Sequence, residues 1–186
     1  GNLPDYFINF AANSFVGNSW EQPELHMRGN SLGVLYCLEA IRKFSPHTRF
    51  YQASSSEMFG DVKYQPQDEN HPFTPRSVYG ISKVTSHLLV KVFRESYRIY
   101  AVGGILFNHE SSSGRRGEEF VTRKITKAVA GIYKAILEGN NIESLKIGNI
   151  SAKRDWSAAE DFCDGIWKML NQPTWETGEH GPRGLL

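Results

Sequence analysis

The chain has 186 residues, 40% hydrophobic and 22% charged, a balance that excludes disordered, collagen-like and membrane-embedded classes and fits one soluble domain or most of one. Lys and Arg number 21 against 20 Asp and Glu, so the net charge of +1 provides no basic field that would draw nucleic acid or anionic lipid. Cys37 and Cys163 sit in helix-like apolar patterns and are expected as reduced core thiols of a cytoplasmic protein, with no apolar run near the ~18 residues of a membrane span.

Residues 5–12 open the chain as a short buried strand rich in aromatics. A helix follows from near Pro23, with Leu25, Leu32, Leu35, Leu38 and Ile41 as its apolar stripe, and Pro46 ends it. Residues 48–54 form a second strand, which runs into Ser54, Ser55, Ser56 and Glu57. Past a proline-rich loop, Ser77 caps a helix whose apolar face is Val84, Leu88, Leu89, Val92 and Phe93. Residues 100–107 are a third strand. Val121, Ile125, Val129, Ile132 and Ile136 then define a helix closed by Gly139. Residues 145–148 read as a short strand, and a last helix starts near Ser157 and stops before Pro173, leaving 174–186 as a loose tail. Strands alternating with long helices predict an α/β fold: a parallel sheet covered on both faces, with ligands beyond the carboxyl ends of its strands.

Two groups carry candidate chemistry. Tyr79 and Lys83 lie four apart at the start of a helix and project from one face. A lysine ammonium beside a phenol favours the phenolate, which could accept a proton from a hydroxyl. The cluster Ser55, Ser56 and Glu57 sits at a strand's carboxyl end, where a serine can hold a substrate oxygen and a glutamate can remove a carbon-bound proton. No spacing of His, Cys, Asp and Glu resembles a metal site.

These residues stand in larger blocks: 9–17, 50–60, 79–83, 104–124 (with Asn108-His-Glu-Ser and Phe120-Val-Thr-Arg-Lys) and 152–156. In them the chain resembles the extended short-chain dehydrogenases/reductases, and within that superfamily the GDP-mannose 4,6-dehydratases, over roughly residues 5–172. The resemblance implies a partial Rossmann-like doubly wound sheet. Residues 1–110 would be the C-terminal portion of an NADP-binding domain, and 111–186 a substrate-binding region. It implies an internal redox cycle on GDP-mannose giving GDP-4-keto-6-deoxymannose. Tyr79 would be the base for the C4 hydroxyl, Lys83 would support the phenolate and the ribose, Glu57 would take the C5 proton, and Ser55 would assist loss of water. Phe10, Ala11, Ala12, Asn13, Ser14, Lys83, His109 and Arg116 match cofactor-contacting positions, and Asn108, Lys124 and Arg154 match positions facing the sugar nucleotide. Family members usually assemble as dimers or tetramers, so a homo-oligomer is expected.

The chain departs from the family pattern in several places. No Gly-x-x-Gly-x-x-Gly loop is present to cradle a pyrophosphate, which leads to the expectation of a central piece of a longer protein. At Ser55 the family commonly has threonine, which keeps the hydroxyl; at Leu25 a tyrosine is frequent, and its loss removes one cofactor hydrogen bond. Residues 111–114 interrupt the usual passage into the arginines. Three functions stay open: the dehydratase, another nucleotide-sugar epimerase or decarboxylase of the superfamily, and a catalytically silent fragment. Glu57 discriminates the first two, since simple C4 epimerisation needs no C5 base.

Overall fold

The computed structural model describes residues 3–113 and 116–172. The tail at 174–186 and Arg115 of the arginine pair therefore lie outside the described residues. By chain range the protein divides into two compact units, Gly1–Phe107 with Phe162–Leu186, and Asn108–Asp161.

The first unit is built on three strands, β1 (Tyr6–Asn9), β2 (Arg49–Ser55) and β3 (Ala101–Leu106), paired in that order and all parallel. Parallel strands require crossovers, supplied here by helices. The first crossover is α1 (Pro23–Met27), which runs without a break through a π-turn (Arg28–Leu32) into α2 (Gly33–Phe44). The second is α3 (Val78–Tyr97). Ser77 is its N-cap, accepting from the Gly80 amide at 3.0 Å, as the sequence predicts.

Alternation along each strand sends successive side chains to opposite faces, and two cores result. Val34, Leu38 and Ile41 of α2 and Val90 and Phe93 of α3 close on Phe50 and Ala101. On the other face Tyr51, Ala53 and Val102 meet Ile166 and Leu170 of α5 (Ala159–Leu170). Arg49 fastens that helix by donating to the Leu170 carbonyl at 2.8 Å. The sheet thus has helices on both faces, as expected.

In the second unit β4 (Asn108–Glu110) pairs in parallel with β5 (Trp156–Ala158), and α4 (Val121–Glu138) ends at Gly139 in the left-handed conformation, φ 69°. The predicted apolar face of α4 exists, but none of it is buried.

Five expectations are corrected. The first strand, read as buried, leaves Tyr6, Phe7 and Ile8 exposed, since β1 pairs on one side alone among the described residues. Residues 145–148 form no strand; the pairing partner of β4 is Trp156–Ala158, read from sequence as the start of a helix. A run as short as Leu145-Lys-Ile-Gly becomes a strand only where a partner edge is offered to it, and β4 pairs instead with β5. The stripe of the first crossover is broken: Leu25 and Leu32 are exposed while Val34 is buried, because the π-turn adds a residue to one turn and rotates the face. On α3, Leu88 and Val92 are exposed, and the buried face carries Ser82, Lys83, Ser86 and His87. Cys163 is exposed rather than a core thiol; Cys37 is half-buried, and both are free thiols.

Candidate active site

All three strands of the first sheet point their carboxyl ends the same way, so the segments leaving β1 and β2 gather at one edge. The carboxyl end of β2 presents three consecutive residues to three residues of α3 that stand at i, i+4 and i+8. The Ser55 side chain stands beside the Tyr79 phenol, near enough to draw its titration down. The Ala53 carbonyl accepts from Lys83 Nζ at 2.9 Å. Ser54 Oγ and His87 Nδ1 lie 2.8 Å apart. Tyr79, Lys83 and His87 are all buried, which explains the polar inner face that hydrophobic periodicity misplaced: α3 covers the polar end of a strand.

Glu57 is half-buried in a short 3₁₀ turn (Ser56–Met58), and Ser55 Oγ caps that turn by accepting from the Glu57 amide at 3.2 Å. One hydroxyl therefore touches both the phenol and the turn that carries the carboxylate. Gly80 allows this approach: a Cβ there would lie 2.8 Å from the Glu57 carbonyl oxygen, so any side chain would push α3 away from the turn.

Burial sets the electrostatics. It pushes the Tyr79 phenol up; the Ser55 side chain acts downward and the Glu57 carboxylate upward. The lowering expected from Lys83 is therefore not what governs Tyr79 in this structure, although the ammonium stands 5.7 Å from its ring centroid. Burial also lowers Lys83 to about 8 and His87 to about 4, Arg94 and Lys91 adding to the latter.

A lysine whose folded pKa lies below its unfolded value binds fewer protons folded than unfolded, so it costs stability at low pH. That cost is full below about 8 and is relieved as pH rises towards the ordinary lysine value of 10.5. Against Lys83→Met, which removes the titration, the native chain should gain about 3 kcal/mol across that window, a difference to be read from urea unfolding at each pH. A flat difference would show that Lys83 is not desolvated.

The expected cofactor loop, Phe10 to Ser14, leaves the carboxyl end of β1 and is tied down by polar contacts. Asn9 Oδ1 accepts from the Ala11 amide at 3.1 Å, and Asn9 Nδ2 donates to Gln52 Oε1 at 2.8 Å. Asn30 Oδ1 accepts from the Asn13 amide at 2.8 Å, while Asn30 Nδ2 reaches the Asn13 carbonyl at 3.2 Å and Ser82 Oγ at 3.0 Å. Ser31 Oγ donates to the Ser82 carbonyl at 3.1 Å. Phe10, Ala11 and Ser14 are exposed and Ala12 is half-buried. Asn30, Ser31 and His87 were missed by the sequence reading. The signals were a polar pair inside a helical pattern between Gly29 and Gly33, and the continuation of the Tyr79–Lys83 spacing to His87.

In the second unit, β4 sets Asn108 opposite Trp156, and Asn108 Nδ2 donates to the Asp155 carbonyl at 3.1 Å. Arg154 adjoins that pairing and is exposed; His109 pairs with Ser157 in the ladder. Arg116 is 3.4 Å from a Glu110 oxygen and stacks over Phe120 at 3.7 Å from the ring centroid. Lys124 is exposed in the first turn of α4. Among the described residues no group of three or more His, Cys, Asp or Glu could hold a metal ion, and no helix is long and apolar enough to cross a membrane.

A parallel sheet flanked by helices, with Tyr-x-x-x-Lys on a helix packed against a serine-bearing strand end, defines a Rossmann-fold protein of the short-chain dehydrogenase/reductase type. The sequence model of GDP-mannose 4,6 dehydratase matches residues 2–180, and the chain belongs to that family. It is 46% identical over 171 residues to a GDP-mannose 4,6-dehydratase of Vibrio cholerae, covering 91% of this chain and 44% of that protein. The GDP-mannose 4,6 dehydratase of Homo sapiens is 43% identical over 169 residues, covering 90% and 44%. Among solved structures, RMD from Pseudomonas aeruginosa complexed with NADPH superposes with a TM-score of 0.77 at 26% identity, covering 90% of this chain and 56% of that one. DesIV, a dTDP-glucose 4,6-dehydratase of Streptomyces venezuelae, shares the fold with a TM-score of 0.73 at 21% identity, covering 90% and 48%. The chain thus spans less than half the length of these two curated relatives.

Proposed function

We propose that the chain carries the catalytic residues of a nucleotide-sugar dehydratase that converts GDP-mannose to GDP-4-keto-6-deoxymannose with NADP as resident cofactor. The observation that carries this reading is the convergence of Tyr79, Ser55 and the Glu57 turn at the carboxyl end of β2, with Lys83 buried one helical turn behind Tyr79. Family membership supports the substrate.

The residues present fit NADP. Lys83 is a buried ammonium that donates to the Ala53 carbonyl and has further N–H donors for a ribose hydroxyl. Phe10 to Ser14 would lie along the cofactor, pinned by Asn9 and Asn30. The chemistry NADP supplies when bound is acceptance of hydride at C4 and its return to C6. Tyr79, as the phenolate that Lys83 stabilises, takes the proton of the C4 hydroxyl and becomes the neutral phenol. Glu57 removes the C5 proton, made acidic by the neighbouring ketone, and passes it, with Ser55 assisting, to the C6 hydroxyl, which departs as water. In the second unit His109 and Arg116 would serve the cofactor, while Asn108, Lys124 and Arg154 would serve the diphosphate and sugar, where cationic side chains suit a doubly charged group.

The division near residue 107 supports a nucleotide-binding portion over 1–110, whereas of the proposed substrate region 111–186 only the part up to Asp161 forms a unit of its own, Phe162 onward belonging with the first. We further propose a cytoplasmic homo-oligomer, dimer or tetramer, which light scattering would test. The activity is tested by incubating the chain with NADP and GDP-mannose and following the sugar nucleotide by mass spectrometry. Loss of one water with the NADP level unchanged is the expected result. A product of unchanged mass and altered C4 configuration would establish the epimerase reading instead, and absence of both turnover and NADP binding would establish a silent domain.

A further inference from the structure

His26, on α1, is 1% exposed, and neither ring nitrogen has a hydrogen-bond partner among the described residues. Buried imidazoles are ordinarily anchored through at least one nitrogen, so this one is held by other means. Its ring meets that of Tyr79 edge to face, with centroids 6.2 Å apart and planes at 84°. Such a geometry lets the positive edge of one ring meet the negative face of the other. Burial lowers the imidazole from its ordinary value, so the ring is neutral at pH 7.

The neighbouring contacts point the same way. One turn further on, Asn30 and Ser31 fasten the same stretch to Ser82, between Tyr79 and Lys83 on α3. The backbone of the tyrosine's helix is thus held from this side by hydrogen bonds, while the tyrosine ring itself is met by His26.

We propose that His26 is a positioning residue for Tyr79: its ring closes one side of the slot in which the phenol ring sits and keeps the hydroxyl directed at Ser55. The residue acts through the shape of its ring and not through its nitrogens, which bond nothing among the described residues. This rests on Tyr79 as the C4-hydroxyl base.

Two variants of the full chain separate shape from polarity. His26→Ala removes the ring, and His26→Phe keeps a ring while removing both nitrogens. Turnover of GDP-mannose is measured together with the NMR resonances of ring-labelled tyrosine, with Tyr79 assigned by its disappearance in Tyr79→Phe. His26→Ala is expected to lower kcat about tenfold with KM little changed, since small misplacements of a reacting group are costly. It should also bring the Tyr79 ring into fast flipping. His26→Phe should restore both and raise the melting temperature, because no buried nitrogen is then left unpaired. Should the alanine variant not fold, His26→Leu carries the same test, filling the volume without a flat edge. Unchanged Tyr79 resonances in His26→Ala or His26→Leu, or a phenylalanine variant as impaired as the alanine one, would overturn the proposal. If Tyr79→Phe retains turnover while His26→Ala still frees the ring, Tyr79 is not the base and the brace stands alone.

Discussion

Tyr79→Phe is expected to lower turnover of GDP-mannose by about 10²–10⁴-fold, the usual worth of a positioned general base, with a melting temperature close to that of the native chain. The substitution removes one oxygen and keeps the ring against His26 and beneath the Lys83 ammonium. Burial pushes the phenol up, so before any ligand arrives little of it is ionised at neutral pH. The native rate should therefore climb with pH on the alkaline side, and the residual rate of the variant should lose that limb. A variant with the native rate and an unchanged pH profile would remove Tyr79 from the proton transfer.

Glu57→Gln separates the first half of the cycle from the second. With the C5 base gone, oxidation at C4 should still proceed, so one equivalent of reduced cofactor should build up and persist, visible by its absorbance, while dehydration falls by about 10²–10⁴-fold. The amide is nearly isosteric with the carboxylate, and the turn is capped through the Glu57 backbone rather than its side chain, so the local structure should survive. Ser55→Ala is the informative contrast, since it disturbs both the phenol's surroundings and the cap. Release of the dehydrated product at the native rate by Glu57→Gln would end its assignment as base.

The reading of the sequence succeeded where a single period or a single cap decides the outcome. Strand, helix, strand, helix, strand follow one another as expected, Ser77 caps α3, and Gly139 ends α4. It failed where polar residues replace apolar ones inside. Lys83 and His87 are buried because their partners lie on β2, thirty-odd residues away in the chain, and Ser82 because Asn30 and Ser31 reach it from the first crossover, and no local pattern reports either. The π-turn was illegible for a related reason: a one-residue insertion in a helix leaves composition untouched but turns Leu25 and Leu32 outward. The pairing of Tyr79 with Lys83 was legible as a spacing. Its electrostatic outcome was not, since desolvation depends on what the fold stacks above it.

Asn30 gives its one side-chain amide to two places, the Asn13 backbone on one side and Ser82 on the other. Any coupling free energy that this shared side chain carries between those places is reciprocal. On the proposed reading, a ligand held by residues 10–14 would also bear on the helix that carries Tyr79 and Lys83, and that helix on the ligand's hold in turn. Attempts to redesign cofactor preference by altering the loop alone will therefore change turnover as well, and variants on the two sides of Asn30 will combine non-additively.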